Sequence, residues 1–353
     1  KLYSKKYYEN AIESGKITIN GEKCDFHTTL DENDLIVHES TFTEMPVLDR
    51  PVDVVYEDEK FLVVNKPCSV PVHPCGAYKA NSLIPLLNLT RPGAVDEDLK
   101  LTHRLDRLTS GLVVLAKTRS GAADIIQAFE SSDVKKVYLA RCLADDSKCV
   151  QKMFNDETFP LPPGVTRIPI EDSESKDKDV LGSSKFKLEV SGWIWCVDHR
   201  SGINKFSVDA QPDDVRAKIS STVITLLSRK GNECVVRCEP KTGRTHQIRL
   251  HLQHLHIPIK NDKCYGGKLE ASEHCPLVRH LESVDKTADL INVVIRDEHE
   301  QAECKEELHP QGIFLHALEY AAPTAGLKNV VGPKPEWASL FEHNTLLRLN
   351  SFS

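Results

Sequence analysis

The stretch HRLDRLTSG, residues 103–111, is the most informative part of this sequence. It places one carboxylate, that of Asp106, between two arginines, and it runs directly into the apolar segment LVVLA, residues 112–116. Neighbouring cations keep an aspartate ionised, and an ionised carboxylate can act as a nucleophile, a base or an ion-pair partner. The arginines can also bind phosphates. We therefore predict a reactive group and anion-binding groups in one loop before a buried strand.

The composition places the chain among ordinary globular proteins. Its 353 residues carry a net charge of −7 and include 11 cysteines. An odd number of scattered cysteines is typical of a reduced compartment, and no apolar run has the length of a membrane span. Because the chain begins with Lys1, its N-terminus is expected to be trimmed. We expect a cytoplasmic or nuclear protein, or a mitochondrial one that has lost its leader, without membrane association.

The distribution of charge says more than its sum. Acidic residues cluster at 172–179 and 297–307, which are interpreted as solvated loops. The net negative charge argues weakly against nucleic-acid binding, but a basic face on an acidic protein remains compatible with it. Basic residues concentrate in the motif stretches: Arg104, Arg107, Lys117 and Arg119, then Lys241, Arg244 and Arg249.

The N-terminal segment predicts a small separate unit over residues 1–45. Residues 7–14 have helical character, residues 16–19 and 35–38 are typical of strands, and Asn20-Gly21 is a strong hairpin signal. This order resembles the alpha-L RNA-binding domain. The alternative is a generic hairpin packed beside a larger domain. Two prolines mark residues 46–51 as a linker.

Further elements are predicted from apolar patterning along the rest of the chain. Strands are expected at 52–58, 61–64, 112–116, 137–140, 186–190, 223–227, 234–238 and 312–317, and a short helix at 82–89. A helix over 120–129 is expected to bury Ala123, Ile126 and Phe129. Residues 151–184 lack clear periodicity and are interpreted as a partly mobile insertion.

A second dense motif begins at residue 239. Its Gly-containing turn leads to a helix with Thr245 as an acceptable N-cap. Ile248, Leu252 and Leu255 form the expected buried stripe, with Arg249 off it. The helix start, which carries Arg244, is a good anion site.

Several common chemistries have little support in this sequence. It contains no Gly-x-Gly-x-x-Gly after a strand, no Walker-type loop and no Gly-x-Ser-x-Gly elbow. Two weak metal spacings exist, one among His251, His254 and His256 and one between Cys234 and Cys238, but neither is completed by a nearby cluster. We expect no metal site.

Three segments together resemble the three signature motifs of RluA-type pseudouridine synthases. They are residues 103–111, KVYLA at 136–140 and GRTHQIRLH at 243–251, in the family's order and rough spacing. The flanking stretches at 65–74, 258–266 and 315–317 agree as well. The resemblance implies an α/β (α+β) fold in which a central mixed, largely antiparallel sheet is flanked by helices and loops. The catalytic domain would span 52–345.

The resemblance implies isomerisation of uridine to pseudouridine in RNA without a cofactor or an obligate protein partner. The uracil would be detached at its N1–C1′ bond, turned, and rejoined through C5. Whether Asp106 attacks C1′, adds to the uracil ring or removes a ribose proton stays open. The loop at 72–78 looks most like tRNA enzymes that act in the anticodon stem-loop. rRNA and mRNA are the alternative substrates.

The implied catalytic residues are Asp106, Tyr138 against the uracil, and Arg249 as partner of Asp106. Arg104 would enter the space left by the flipped nucleotide. Four basic residues would contact phosphates: Lys66, Arg107, Lys241 and Arg244. Four further residues belong to the expected substrate-binding set, in which the histidines act as hydrogen-bonding groups rather than acids or bases: His103, Thr245, His246 and Gln247.

Three alternatives compete with this interpretation. Taken alone, an aspartate beside arginines is more often a structural ion pair than a nucleophile. The chain could instead be an RNA-binding or RNA-folding module whose catalysis is secondary. A hydrolase that uses Asp106 with His103 is the third alternative, although no hydroxyl or thiol nucleophile sits in a recognisable elbow.

Overall fold

The structure, a computed structural model, describes residues 4–39, 45, 47–48, 50–75, 78–91, 99–144, 146–170, 184–198, 202–209, 216–268 and 312–339. The predicted acidic loops, residues 46 and 49 of the predicted linker and residues 340–345 of the predicted catalytic domain lie outside these ranges. The helices are α1 Lys5–Glu13, α2 Leu83–Thr90, α3 Arg119–Glu130, α4 Ser147–Asn155, α5 Gln247–His254 and α6 Glu336–Ser339.

Fifteen strands are described. They are β1 Ile17–Ile19, β2 Glu22–Lys23, β3 Ile36–His38, β4 Asp53–Glu57, β5 Phe61–Lys66, β6 Lys100–Leu101, β7 Ser110–Ala116, β8 Lys135–Leu143, β9 Val165–Pro169, β10 Phe186–Asp198, β11 Ile203–Ser207, β12 Lys218–Lys230, β13 Glu233–Pro240, β14 Leu315–Ala322 and β15 Leu327–Val331. The last predicted strand begins at Leu315 rather than at residue 312.

The N-terminal unit is a helix followed by a three-stranded antiparallel sheet in the order β2-β1-β3. The predicted hairpin is confirmed, since Asn20 and Gly21 have φ values of 53° and 84° between β1 and β2. The side-chain nitrogen of Asn20 donates to Asp34 Oδ1 at 2.7 Å, and its side-chain oxygen accepts from the backbone amide of Leu35 at 2.9 Å. The turn residue thus ties the hairpin to the segment leading into β3. The domain boundaries stay predictions.

The remaining strands form one sheet of 12. Its main path runs β11-β10-β12-β13-β8-β14-β7-β5-β4, with β15, β6 and β9 paired at its sides. Of the described strand pairs, β14 with β7 is parallel and the others are antiparallel. The mixed, largely antiparallel sheet expected from the sequence is therefore confirmed.

Residues 103–111 lead into β7, which lies inside this sheet between β14 and β5. Gly111, at the start of β7, has φ +111°, and a Cβ there would lie 2.2 Å from the carbonyl oxygen of Ala317 on β14. A glycine is therefore required for the parallel contact. Residues 112–116 that follow are 0% exposed, and burial of each large aliphatic side chain contributes about 1.5–3 kcal/mol. The loop that carries Asp106 consequently leads directly into a fully buried segment of β7.

The predicted buried face of α3 is wrong by one residue. The helix buries Gly121, Ile125 and Ala128, while Ile126 stays 46% exposed. The cause is the close packing of Gly121, where a Cβ would lie 3.1 Å from the Lys60 carbonyl oxygen. That contact turns the helix so that Ile126 faces solvent.

The predicted insertion at 151–184 is partly regular structure. Helix α4 extends to Asn155, and β9 pairs with β10 through residues 165–169. The strand was missed because only Val165 of β9 is buried, so the period-two signal is weak. Residues 171–183 lie outside the described part of the chain.

Candidate active site

A buried lysine stabilises the loop that carries Asp106. Lys66, at the end of β5 and 0% exposed, donates from Nζ to the carbonyls of Pro67, Val70 and Arg107 at 2.9, 2.8 and 3.3 Å. These three acceptors use all three ammonium donors. Burial lowers the pKa of Lys66 to about 7. The predicted phosphate contact by Lys66 is therefore wrong, because its charge is enclosed beneath the loop.

The start of α5 differs from the prediction as well. The helix begins at Gln247, and its N-cap position is occupied by His246 with φ +60°, not by Thr245. Gln247 is buried and its amide makes four hydrogen bonds, to Thr242, the Arg244 amide, the Ser221 carbonyl and Thr222. These bonds hold the motif turn in place, and the role of Gln247 in substrate binding stays a prediction.

Arg249 lies on α5 and contacts two carboxylates. Its Nε and Nη2 donate to Asp262 at 2.6 and 2.7 Å, whereas Nη1 lies 3.5 Å from Asp106 Oδ2. Burial opposes the charged form, yet the hydrogen bonds and charge of Asp262 raise the pKa of Arg249. The predicted pairing with Asp106 exists but is the weaker of the two. Arg249 also lies inside the fold at 6% exposure, which corrects its placement off the buried stripe.

His246 provides a second contact to the carboxylate of Asp106. Its Nε2 lies 3.6 Å from Asp106 Oδ2, and its Nδ1 lies 2.7 Å from the Tyr265 hydroxyl and 3.4 Å from the Asn204 amide nitrogen. The Asn204 side-chain nitrogen can only donate, so Nδ1 is best assigned as the acceptor and Nε2 as the N–H. Burial lowers the pKa of His246, while Asp106 opposes that shift. The neutral ring then presents an N–H towards Asp106.

Tyr138 lines the same site as Asp106, Arg249 and His246. It lies on β8 at 8% exposure, and its hydroxyl is 2.6 Å from that of Tyr320 on β14. Burial raises the pKa of Tyr138 to about 12. His103 stacks on Tyr320 with ring centroids 4.9 Å apart and accepts a hydrogen bond from the Val114 amide at 3.0 Å. Burial lowers the pKa of His103 to about 3, so it remains neutral and supports the loop.

These groups enclose a cavity of about 140 Å³. Most of the predicted site residues line it together: Arg104, Asp106, Tyr138, Arg244, Thr245, His246, Gln247 and Arg249. Arg107 does not line it and places its guanidinium 5.5 Å from the Tyr78 ring, while Lys241 pairs with Glu189 at 2.7 Å. Arg104 is exposed, and its guanidinium makes no hydrogen bond or ion pair within the described ranges.

The sequence interpretation missed several residues that organise the site. Asp262, Tyr265 and Asn204 hold Arg249 and His246, and Tyr320 holds Tyr138. The spacing of Asp262 and Tyr265 was noticed as a motif without a role. Asn204 had no signal, because it lies on β11 in a segment without any motif.

The arrangement suits chemistry at one ionised carboxylate. Within the described residues, Oδ1 of Asp106 has no hydrogen-bonding partner, whereas Oδ2 faces two donors. No group of three or more His, Cys, Asp and Glu side chains in that part of the chain could hold a metal ion. His251, from the weaker metal spacing, has both ring nitrogens in hydrogen bonds to Ser220 and Thr222. No described helix is long and apolar enough to cross a membrane.

Comparison with known proteins places the chain in a family. The family model described as RNA pseudouridylate synthase matches residues 60–254. The chain is 34% identical over 261 residues to the mitochondrial tRNA pseudouridine(32) synthase of Saccharomyces cerevisiae, covering 74% of this chain and 47% of that protein. It is 32% identical over 262 residues to human pseudouridylate synthase RPUSD2, covering 74% of this chain and 39% of the relative.

A third relative is the tRNA pseudouridine(31) synthase of Saccharomyces cerevisiae, 33% identical over 222 residues. That alignment covers 60% of this chain and 46% of the yeast protein. The chain thus spans less than half the length of each of these three relatives. From the matched family and the motifs assembled around Asp106, the chain belongs to the RluA-type pseudouridylate synthase family.

Proposed function

We propose that this chain is an RNA pseudouridine synthase that uses Asp106 at the ribose or the uracil. The observation that carries the proposal is the position of Asp106, in a cavity between Tyr138 and the Arg249–His246 pair. One carboxylate oxygen is oriented by these two donors, and the other has no partner within the described residues. A carboxylate held in this way can act on a bound nucleotide.

The reaction conserves every atom of the nucleotide. The N1–C1′ bond breaks, a C5–C1′ bond forms, C5 loses its proton and N1 gains one. Asp106 supplies the negative charge that opens or stabilises the intermediate, and Arg249 and His246 keep that charge directed into the cavity. The balance needs no oxidant and no second substrate.

Tyr138 and Arg104 are proposed to hold the flipped uridine. The phenol of Tyr138 stays protonated at neutral pH, because burial raises its pKa to about 12. It therefore acts as a packing surface and hydrogen-bonding group rather than as a base. The exposed guanidinium of Arg104 can occupy the place that the uridine leaves in the RNA.

We propose tRNA as the substrate and the anticodon stem-loop as its modified region. The names of two yeast relatives give tRNA positions 32 and 31, and the loop at 72–78 is similar to enzymes of that group. Because one of these names includes the word mitochondrial, we extend the proposal to mitochondrial tRNA. Imaging of the tagged full-length protein would show whether it resides in mitochondria, the cytoplasm or the nucleus.

The test is incubation of the protein with unmodified tRNA transcripts, followed by mapping of pseudouridine. The wild-type protein is expected to modify one anticodon-loop uridine and Asp106→Asn to modify none. Equal product from both proteins would refute the role of Asp106. Full rescue of a deletion strain by Asp106→Ala would favour the RNA-binding alternative, and release of free uracil would favour the hydrolase.

A further inference from the structure

A second, larger cavity of about 510 Å³ adjoins the cavity at Asp106. This volume lies in the range of about 300–1,000 Å³ that is usual for small-molecule sites, whereas the 140 Å³ at Asp106 is below it. The two cavities share six residues: Arg104, Lys136, Tyr138, Thr242, Gly243 and Arg244. A strand of RNA that places one nucleotide at Asp106 therefore leads its neighbour past Lys136 and Arg244.

Lys136 is a half-buried cation that lines both cavities. It lies two residues before Tyr138 on β8, so both side chains point to the same face. Other lysines nearby are paired, Lys135 with Glu319 and Lys241 with Glu189, but Lys136 has no carboxylate partner among the described residues. Burial, and then repulsion by Arg244, lower the pKa of Lys136. A bound anion such as a phosphate would satisfy both cations.

The lining of the larger cavity also includes two large apolar side chains and a carboxylate. The exposed Ile126 and the half-buried Phe129 line it, with the Lys136 ammonium 5.8 Å from the Phe129 ring centroid. Glu130, at the end of α3, lines the same cavity. A large exposed aliphatic side chain beside a cationic cleft is suited to contact with a base face. The carboxylate can accept hydrogen bonds from the edge of that base.

We propose that this cavity binds a second nucleotide of the same RNA strand, near the target uridine, with its phosphate on Lys136 and Arg244. Its base packs on Ile126 and Phe129 and directs N–H groups to Glu130. Guanine fits best, because its N1–H and 2-amino group point the same way and match two carboxylate oxygens, whereas uracil offers one N–H. The inference rests on the proposed function, since it concerns the RNA of the same reaction.

The test uses anticodon stem-loop RNAs in which each nucleotide near the target uridine is in turn guanosine or inosine, which lacks the 2-amino group. At one position, inosine is expected to lower kcat/KM roughly tenfold relative to guanosine. Glu130→Gln should bring this ratio close to one. Glu59→Gln, an exposed glutamate in the β4–β5 turn that lines neither cavity, should retain it.

A ratio near one at every position, or an unchanged ratio in Glu130→Gln, would overturn the subsite. Absence of pseudouridine from every RNA would instead contradict the proposed function. A binding measurement judges the subsite independently of turnover. Asp106→Asn protein bound to RNA with photoactivatable 6-thioguanosine at the selective position should crosslink within residues 126–136. A crosslink only elsewhere would count against the assignment.

Discussion

Asp106 and Asp262 contact the same arginine in opposite ways. Asp262 is 1% exposed and binds Arg249 through two bonds of 2.6 and 2.7 Å, whereas Asp106 is 19% exposed and lies 3.5 Å away. The short bidentate pair has ideal geometry for holding a guanidinium in place. A contact of 3.5 Å is long for a hydrogen bond. Asp262 therefore holds the arginine in place, while Asp106 keeps only a long contact with it.

The division has an energetic reason. A buried charge must be paired closely, since an unpaired ion in the interior is costly. Asp262 meets that requirement for Arg249, so Asp106 can keep one oxygen exposed to the cavity without leaving Arg249 unpaired. The structure thus assigns Asp262 to holding Arg249, which is consistent with the proposed role of Asp106 in the reaction.

The largest effect that we expect is the loss of turnover when Asp106 is replaced. Asp106→Asn should lower kcat by at least about a thousandfold, because the essential negative charge is lost. The free energy of unfolding should change by less than about 1 kcal/mol, since only long contacts disappear. Single-turnover assays and urea denaturation measure the two quantities. A large loss of stability with little loss of rate would assign Asp106 a structural role.

Asp262→Asn should show the reverse balance. It leaves Arg249 buried with a weakened partner, and removal of one member of a buried pair costs about 3–5 kcal/mol. Urea denaturation should show this loss directly. Activity should also fall, because Arg249 is no longer held near Asp106. If the variant were as stable as the wild type, Asp262 would not be the anchor that its geometry indicates.

Tyr265→Phe tests whether His246, the second group that contacts Asp106, must be held in position. Without the hydroxyl, His246 Nδ1 loses its 2.7 Å partner, and the ring is no longer fixed opposite Asp106. We expect kcat to fall about tenfold, the amount that corresponds to one lost hydrogen bond of roughly 1.4 kcal/mol. Tyr56→Phe is the matched control, because it removes a phenol bond to Asp58 far from the cavity. Similar losses in both variants would refute a positioning role.

The burial of Lys66 predicts that the free energy of unfolding depends on pH. Its pKa falls from 10.5 to about 7 on folding, so between these values the unfolded chain binds more protons than the folded one. Stability from this group therefore rises with pH, by at most about 1.4 kcal/mol per unit. The free-energy difference between wild type and Lys66→Met should grow in favour of wild type from pH 7 to 9. Lys60→Met, at an exposed site, is the control for removal of a lysine side chain.

The smallest effect concerns phosphate contacts. Arg244→Gln should reduce the slope of log K against log salt for RNA binding by about 0.7–0.9, the value for one contact. Lys241→Gln should change it less, because Glu189 already holds that ammonium at 2.7 Å. Fluorescence titrations at several salt concentrations measure the slopes. Equal slopes for wild type and Arg244→Gln would remove Arg244 from the interface.

Much of the fold was predictable because its signals are local. The apolar run of β7, the Asn20-Gly21 turn and most strands follow from patterning over a few residues. The rotation of α3 was not predictable, since it depends on how closely Gly121 approaches the Lys60 carbonyl. Lys66 was misplaced for a related reason. Lysines are rarely buried, so a lysine in a motif loop is expected to face solvent.

For the site, the sequence alone determined which residue types meet: one aspartate in a loop before a buried strand, one tyrosine on a strand and one arginine on a helix. Only the tertiary structure decided how they pair. Arg249 is 143 residues from Asp106 and 13 from Asp262, and the return of the chain after α5 brings Asp262 closer. Local patterns specify helices and strands, but hydrogen bonds between side chains depend on ångström-scale positions that long-range packing sets.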